Sequence, residues 1–317
     1  MAVPNLRYFG RVADETGFRA GPLETLFRLV ELLNRLGVRF ADELSLCGGT
    51  ALNLLYLDVP RLSVDIDLDY VGTADPAEAQ RRRPELLAEI EEMARRAGYD
   101  VARERPSYAM AHLRLAYVDT SGLPGQLKLD VNFLDRVPVL PPERVLLRHP
   151  FGDDLPPSDV QTLALPELGA SKVIALVRRA MARDLFDVAM LSTLPTLDDD
   201  LLRTALVVRG ASYPPPSPAE YSADVVERIQ PSRWRSEVVA LARRPVQVTL
   251  ASAKARAAEL LGRAFALTDD QREFLRFVDR GELRPELLPG TDLRDRVAAN
   301  PGLLWRLRMG ADTLEER

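Results

Sequence analysis

The chain has 317 residues, 46% hydrophobic and 28% charged, with 47 acids against 42 bases and a formal net charge of -5. That length predicts two domains, and the acidic balance excludes a generally cationic nucleic-acid coat, so any nucleic-acid contact must be a local basic patch. One cysteine, Cys47, and two histidines, His112 and His149, exclude a disulfide framework and a zinc centre built from His and Cys. No apolar run approaches a membrane span. The first residues, MAVPNLRYFGRVADE, hold acids and no apolar core, so the expectation is no export signal, no membrane and a cytoplasmic location. Only three of the bases are lysines, Lys128, Lys172 and Lys254. In so arginine-rich a chain each marks either a site that needs a compact point charge or chance survival on the surface.

In chain order, residues 22–37 place Leu26, Leu29, Val30, Leu33 and Leu36 at helical spacing, with Pro22 in the first turn and Gly37 as the expected stop. A short apolar stretch, 44–47, precedes Gly48-Gly49-Thr50, which opens a second helix through Leu55. Residues 64–71 alternate strictly, with Val64, Ile66, Leu68 and Tyr70 on one face and Asp65, Asp67 and Asp69 on the other. A helix is expected over 76–97, restarting at Pro84. Strands follow at 99–104, 111–118 and 127–134, the last two joined by the hairpin-like loop DTSGLPGQ. Proline-rich punctuation then leads out of this half. Beyond about 158 the pattern is helical, interrupted by a stiff spacer at 214–218. The expected domains are therefore 1–157, an α/β half around a small mixed sheet, and 158–317, a helical domain.

The chemistry centres on acids. Two carboxylates at i and i+2 on a strand point the same way, roughly 6–7 Å apart, and like charges so placed raise each other's pKa unless a cation joins them. Asp130 adds a third acid from a neighbouring strand, and three carboxylates on two strands can cradle the divalent ions of two-metal phosphoryl chemistry. The plain alternative is a solvated strand face. Gly48-Gly49 upstream lets backbone N–H groups approach a phosphate at a helix start; the plain alternative is an ordinary tight turn.

Together these residues resemble a known family. The stretch CGGTALNLLYLDVPRLSVDIDLDYV, 47–71, is similar to the first motif of the AbiEii/AbiGii-type, MenT-like nucleotidyltransferase toxins of the polymerase-β-like nucleotidyltransferase superfamily. KLDVNF at 128–133 and ELGASKVIALVRRAMARDLFDVAML at 167–191 follow in the family's order. The resemblance implies a polymerase-β-like nucleotidyltransferase core followed by a C-terminal helical domain, and a magnesium-dependent transfer of a nucleotidyl group from an NTP to an acceptor. It also implies the 3′ end of tRNA as acceptor and a cognate antitoxin. Asp65, Asp67 and Asp130 are the expected catalytic metal ligands, holding two Mg2+ ions. Gly48, Gly49, Thr50 and Ser63 are the expected phosphate contacts. Lys172 is expected as the triphosphate clamp and a catalytic residue, with Asp184 and Asp187 contacting the nucleotide or pairing with Arg179 and Arg183. Glu167 reads as a helix-dipole residue.

Between 225 and 265 eight bases stand against three acids, and Trp234 lies among them. Arg233, Trp234, Arg243 and Arg244 are therefore the candidate RNA contacts, against the alternative of a solvated helix face with Trp234 in the core. Two other functions compete with transfer to tRNA: nucleotidylation of a protein or small molecule, and a non-catalytic module that binds an NTP or a partner.

Overall fold

The computed structural model describes residues 3–105, 107–156 and 158–315. The chain forms two compact units that exchange short segments. The first holds 3–136, 142–162 and 239–247; the second holds 137–141, 163–238 and 248–315. Pro157, at the expected domain boundary, lies outside the described residues.

The first unit is built on a seven-stranded mixed sheet. Its strands are β1 (Leu44–Cys47), β2 (Asp65–Tyr70), β3 (Asp100–Arg103), β4 (Met110–Val118), β5 (Pro124–Asn132), β6 (Glu143–Leu146) and β7 (Asp159–Thr162), in the order β3-β4-β5-β2-β1-β7-β6. β2 runs antiparallel to β1 and parallel to β5, while β4 and β5 form the expected hairpin. Its loop closes on Asp119, whose carboxylate accepts from the N–H groups of Ser121 and Leu123. Ile66, Leu68, Leu113, Leu115, Leu127, Leu129 and Val131 are all buried, so the apolar half of each alternation makes the core and the polar half is left on the opposite face.

Among the described residues this sheet is accompanied by the helices α1 (Leu6–Thr16), α2 (Ala20–Arg39), α3 (Gly48–Ala51, prolonged to Tyr56 as a widened turn) and α4 (Pro76–Arg96). Two expected boundaries change. α2 runs past Gly37, where the missing side chain makes room for β7: a Cβ there would stand 3.3 Å from Val160 Cγ1. α4 continues through Pro84 without restarting. β6 and β7 have no counterpart among the expected strands; β7 lies parallel beside β1, where Thr162 Oγ1 donates to the Leu46 carbonyl. The returning segment 239–247 is held by backbone bonds from Leu62 N–H to Leu241 O, Arg243 N–H to Pro60 O and Arg244 N–H to Gly17 O.

The second unit is helical, with α5 (Leu165–Arg179), α6 (Ala182–Leu191), α7 (Asp199–Ala211), α8 (Pro231–Trp234), α9 (Leu250–Ala264), α10 (Asp269–Asp279), α11 (Thr291–Ala298) and α12 (Pro301–Glu315). α5 packs on α7 and α6 on α9, around buried Leu168, Val173, Phe186, Leu202, Leu206, Leu261 and Phe274. Glu167, read as a helix-dipole residue, is wholly buried. It accepts from the N–H groups of Val139 and Leu140 and from Arg209, so it binds the segment 137–141 to this unit. No helix among the described residues is long and apolar enough to cross a membrane.

Candidate active site

On the polar face of the sheet, strand register sets the acids side by side. β2 and β5 pair Asp67 with Asp130, Asp65 with Lys128 and Asp69 with Asn132. β1 brings Cys47 opposite Asp67, and β4 brings His112 opposite Asp130. One lateral row therefore reads Cys47, Asp67, Asp130, His112. Asp65, Asp67 and Asp130 are half-exposed on this face. Asp69 is buried and accepts from Asn132 Nδ2 at 3.1 Å, so it serves the sheet rather than the open surface.

The glycine turn is built against these acids. Gly48 has φ +72°, and a Cβ there would lie 2.1 Å from Asp67 Oδ2. Only a residue without a side chain lets the strand-to-helix turn and the carboxylate occupy this space. Thr50, expected among the phosphate contacts, is fully buried with its hydroxyl donating to the Asp65 carbonyl. It ties the turn to β2 and leaves Gly48 and Gly49 as the candidate phosphate contacts of this turn. Asn53 Nδ2 donates to the Gly49 carbonyl at 2.8 Å, bracing the same turn. Ser63 is buried just before β2.

The expected triad of metal ligands is not a closed cage. Among the described residues no three His, Cys, Asp or Glu side chains group closely enough to hold an ion. Asp130 is instead engaged with His112, Nδ1 to Oδ1 at 2.8 Å. His112 is the site residue that sequence reasoning passed over; its only signal was being one of two histidines, set in a strand of alternating pattern. The donor set still suits magnesium, which is commonly held by one or two carboxylates with substrate phosphates completing its shell. Asp65 and Asp67 are such a pair.

In the second unit, Lys172 and its neighbours form a buried ion-pair cluster. The Lys172 ammonium lies 2.7 Å from Asp187 Oδ2 and 3.7 Å from Asp184 Oδ1. Arg179 grips Asp184 with two bonds, Nε to Oδ2 at 2.6 Å and Nη2 to Oδ1 at 2.7 Å. Asp184 and Asp187 are fully buried and Lys172 nearly so. The sequence left the two acids between nucleotide contact and ion pairing; both are in ion pairs.

Of the basic cluster of 225–265, Trp234 is in the core and several of the bases are in ion pairs. Trp234 is buried with its ring 6.1 Å from that of Phe186, which removes it as a stacking platform. Arg233 belongs to the second unit, whereas Arg243 and Arg244 belong to the first. Arg243 pairs with Asp58, Lys254 with Glu227, and Arg263 with Asp199 and Glu259.

The sequence profile described as "Nucleotidyl transferase AbiEii toxin, Type IV TA system" matches residues 31–282. Among solved structures the chain is similar to MenT4, a nucleotidyltransferase toxin from Mycobacterium tuberculosis H37Rv. The identity is 21% and the TM-score 0.65, over 92% of this chain and 98% of that one. A more distant likeness is to an H. pylori chain described as a nucleotidyltransferase, at 15% identity and a TM-score of 0.49 over 78% of this chain and 96% of the other. No curated protein matches the sequence.

Proposed function

The chain belongs to the AbiEii family of type IV toxin–antitoxin nucleotidyltransferases, and on that premise we propose that it moves a nucleoside monophosphate from an NTP, with magnesium, onto the 3′ end of tRNA. The observation that supports this reading most is the approach of Gly48 to Asp67. A strand-to-helix turn that admits no side chain, set against a carboxylate with Asp65 two residues away, is an arrangement suited to a metal-bound triphosphate.

The residues divide the work as follows. Gly48 and Gly49 present backbone N–H groups to phosphate oxygens, and Thr50 keeps that turn in register with Asp65. Asp65 and Asp67 would hold the metal, two ions being the usual number for this chemistry. When bound, magnesium neutralises the charge developing on the triphosphate. Asp130, oriented by His112, stands next to Asp67 in register as the third acid. Lys172, whose ammonium Asp184 and Asp187 fix in place, is retained as a nucleotide-binding residue. Among the described residues none is assigned as a covalent nucleophile: the acceptor hydroxyl attacks the α-phosphorus directly, its proton passing to Asp130, and pyrophosphate departs. A cognate antitoxin of the host cytoplasm restrains the activity.

One observation favours a second acceptor class: burial of Trp234 removes the aromatic stacking platform expected for a long RNA. Incubation with each α-labelled NTP in turn, with magnesium and with tRNA, total protein or small metabolites, decides between them. Label at the tRNA 3′ end, lost in Asp67→Asn, is the expected outcome. Label in protein or in a low-mass product with tRNA untouched moves the acceptor, and no label from any NTP overturns transfer itself.

A further inference from the structure

The three lysines of this chain meet different fates. Lys172 is held by Asp187 and Asp184, and Lys254 pairs with Glu227 at 2.8 Å. Lys128 is exposed and makes no ion pair among the described residues. Its place is specific. It lies on β5 between buried Leu127 and Leu129, so its side chain leaves the sheet on the polar face. Asp130, two residues on, leaves by the same face.

Register then puts Lys128 beside Asp65 on β2 and beside Arg114 on β4. Arg114 is committed to Glu104. With paired strands about 4.8 Å apart, Lys128 stands one strand from the acids proposed to hold the metal. An ammonium left unpaired among acids, on the open face where a phosphate-bearing substrate is expected, has its attraction free for an anion. A compact ammonium suits a phosphate oxygen, and this chain otherwise uses arginine for nearly all its positive charge.

We propose that Lys128 is a phosphate-binding residue of the sheet face, a contact separate from the Gly48–Gly49 turn and from Lys172. The assignment rests on the nucleotidyl-transfer reading for its substrate class, and two sources share the chemistry: the triphosphate of the NTP and the backbone phosphates of a nucleic-acid acceptor. Binding measurements on the full chain separate them. Wild type, Lys128→Met and Lys128→Arg are titrated with magnesium tripolyphosphate and, separately, with a short single-stranded RNA ending in a 3′-hydroxyl.

A Kd for tripolyphosphate raised about tenfold in Lys128→Met, and partly recovered in Lys128→Arg, assigns the contact to the triphosphate. A comparable loss for the oligonucleotide, with the logarithmic salt slope flatter by about 0.7, assigns it to the acceptor. Unchanged affinity for both probes overturns the proposal, as does a wild-type chain that binds neither. Because neither titration needs turnover, a wild type that labels no acceptor would sink the transfer reading while these measurements still decide the role of Lys128.

Discussion

On the sheet of the first unit Asp65, Asp67 and Asp130 stand half-exposed on one face, whereas in the second unit Asp184 and Asp187 are wholly buried and neutralised by Lys172 and Arg179. The same residue type is used in two physical ways. An acid left near water keeps its charge at little cost and remains available to a cation from outside. An acid taken into the interior has lost its hydration, and it is tolerated only while its partners remain in place. Substitution on the first face should therefore remove chemistry and spare the fold, while substitution in the second cluster should disturb the fold first.

The largest effect expected is on the open face. Asp67→Asn should lower transfer by about 10³-fold, since the metal ligand proposed there would support several kcal/mol of transition-state charge, with a thermal midpoint within a few degrees of wild type. A midpoint that collapses together with activity would erase the distinction between the two regions. In the buried cluster, Asp187→Ala leaves the Lys172 ammonium without its 2.7 Å partner and should cost about 3–5 kcal/mol in urea unfolding. Lys172→Ala should weaken NTP use strongly, and Lys172→Arg should restore only part of it in the same transfer assay, because a forked guanidinium does not fit a site shaped for an ammonium between two carboxylates.

Next in size is Gly48→Ala. Its positive φ and the 2.1 Å approach to Asp67 Oδ2 should together cost about 1–3 kcal/mol. In an Asp67→Ala background the cost should shrink, since the clashing oxygen is gone and only the backbone strain remains. Purely additive losses in that double-mutant cycle would mean that the turn and the acid are not in contact. The smallest effect sharpens the role of His112. His112→Gln should reduce kcat about tenfold with KM for the NTP and the unfolding midpoint unchanged, because it loosens the aim of Asp130 without removing a metal ligand. An unchanged kcat would make the 2.8 Å bond a surface pairing.

Much of the first unit is legible along the chain because its signals are local. Strict alternation over 64–71 is enough to place β2 and to send three aspartates to one side. The turn chemistry of DTSGLPGQ is enough for the β4–β5 hairpin. The two-glycine turn before α3 and the 3.6-residue period of α5 and α6 are read in the same way. β6 and β7 escape notice because each is four residues long and lies within proline-rich sequence; their identity as strands comes from pairing with each other and with β1. Gly37 reads as a helix stop, but what matters at that position is the approach of Val160, more than a hundred residues away.

The sequence alone therefore determined most of the elements, the face each side chain takes within them, and the reading of Gly48, Asp65, Asp67 and Asp130 as one candidate site. Periodicity acts within a few residues, so those properties are written locally. Tertiary structure alone decided which partner each polar group finds. It committed Thr50 to the Asp65 carbonyl, turned Asp130 toward His112, sank Lys172 between Asp184 and Asp187, buried Trp234 against Phe186 and left Lys128 exposed. Each of these outcomes depends on strand register or on packing between distant segments. A hydrogen bond of about 3 Å forms or fails on displacements far smaller than one residue of rise along a strand, and no local pattern carries that information.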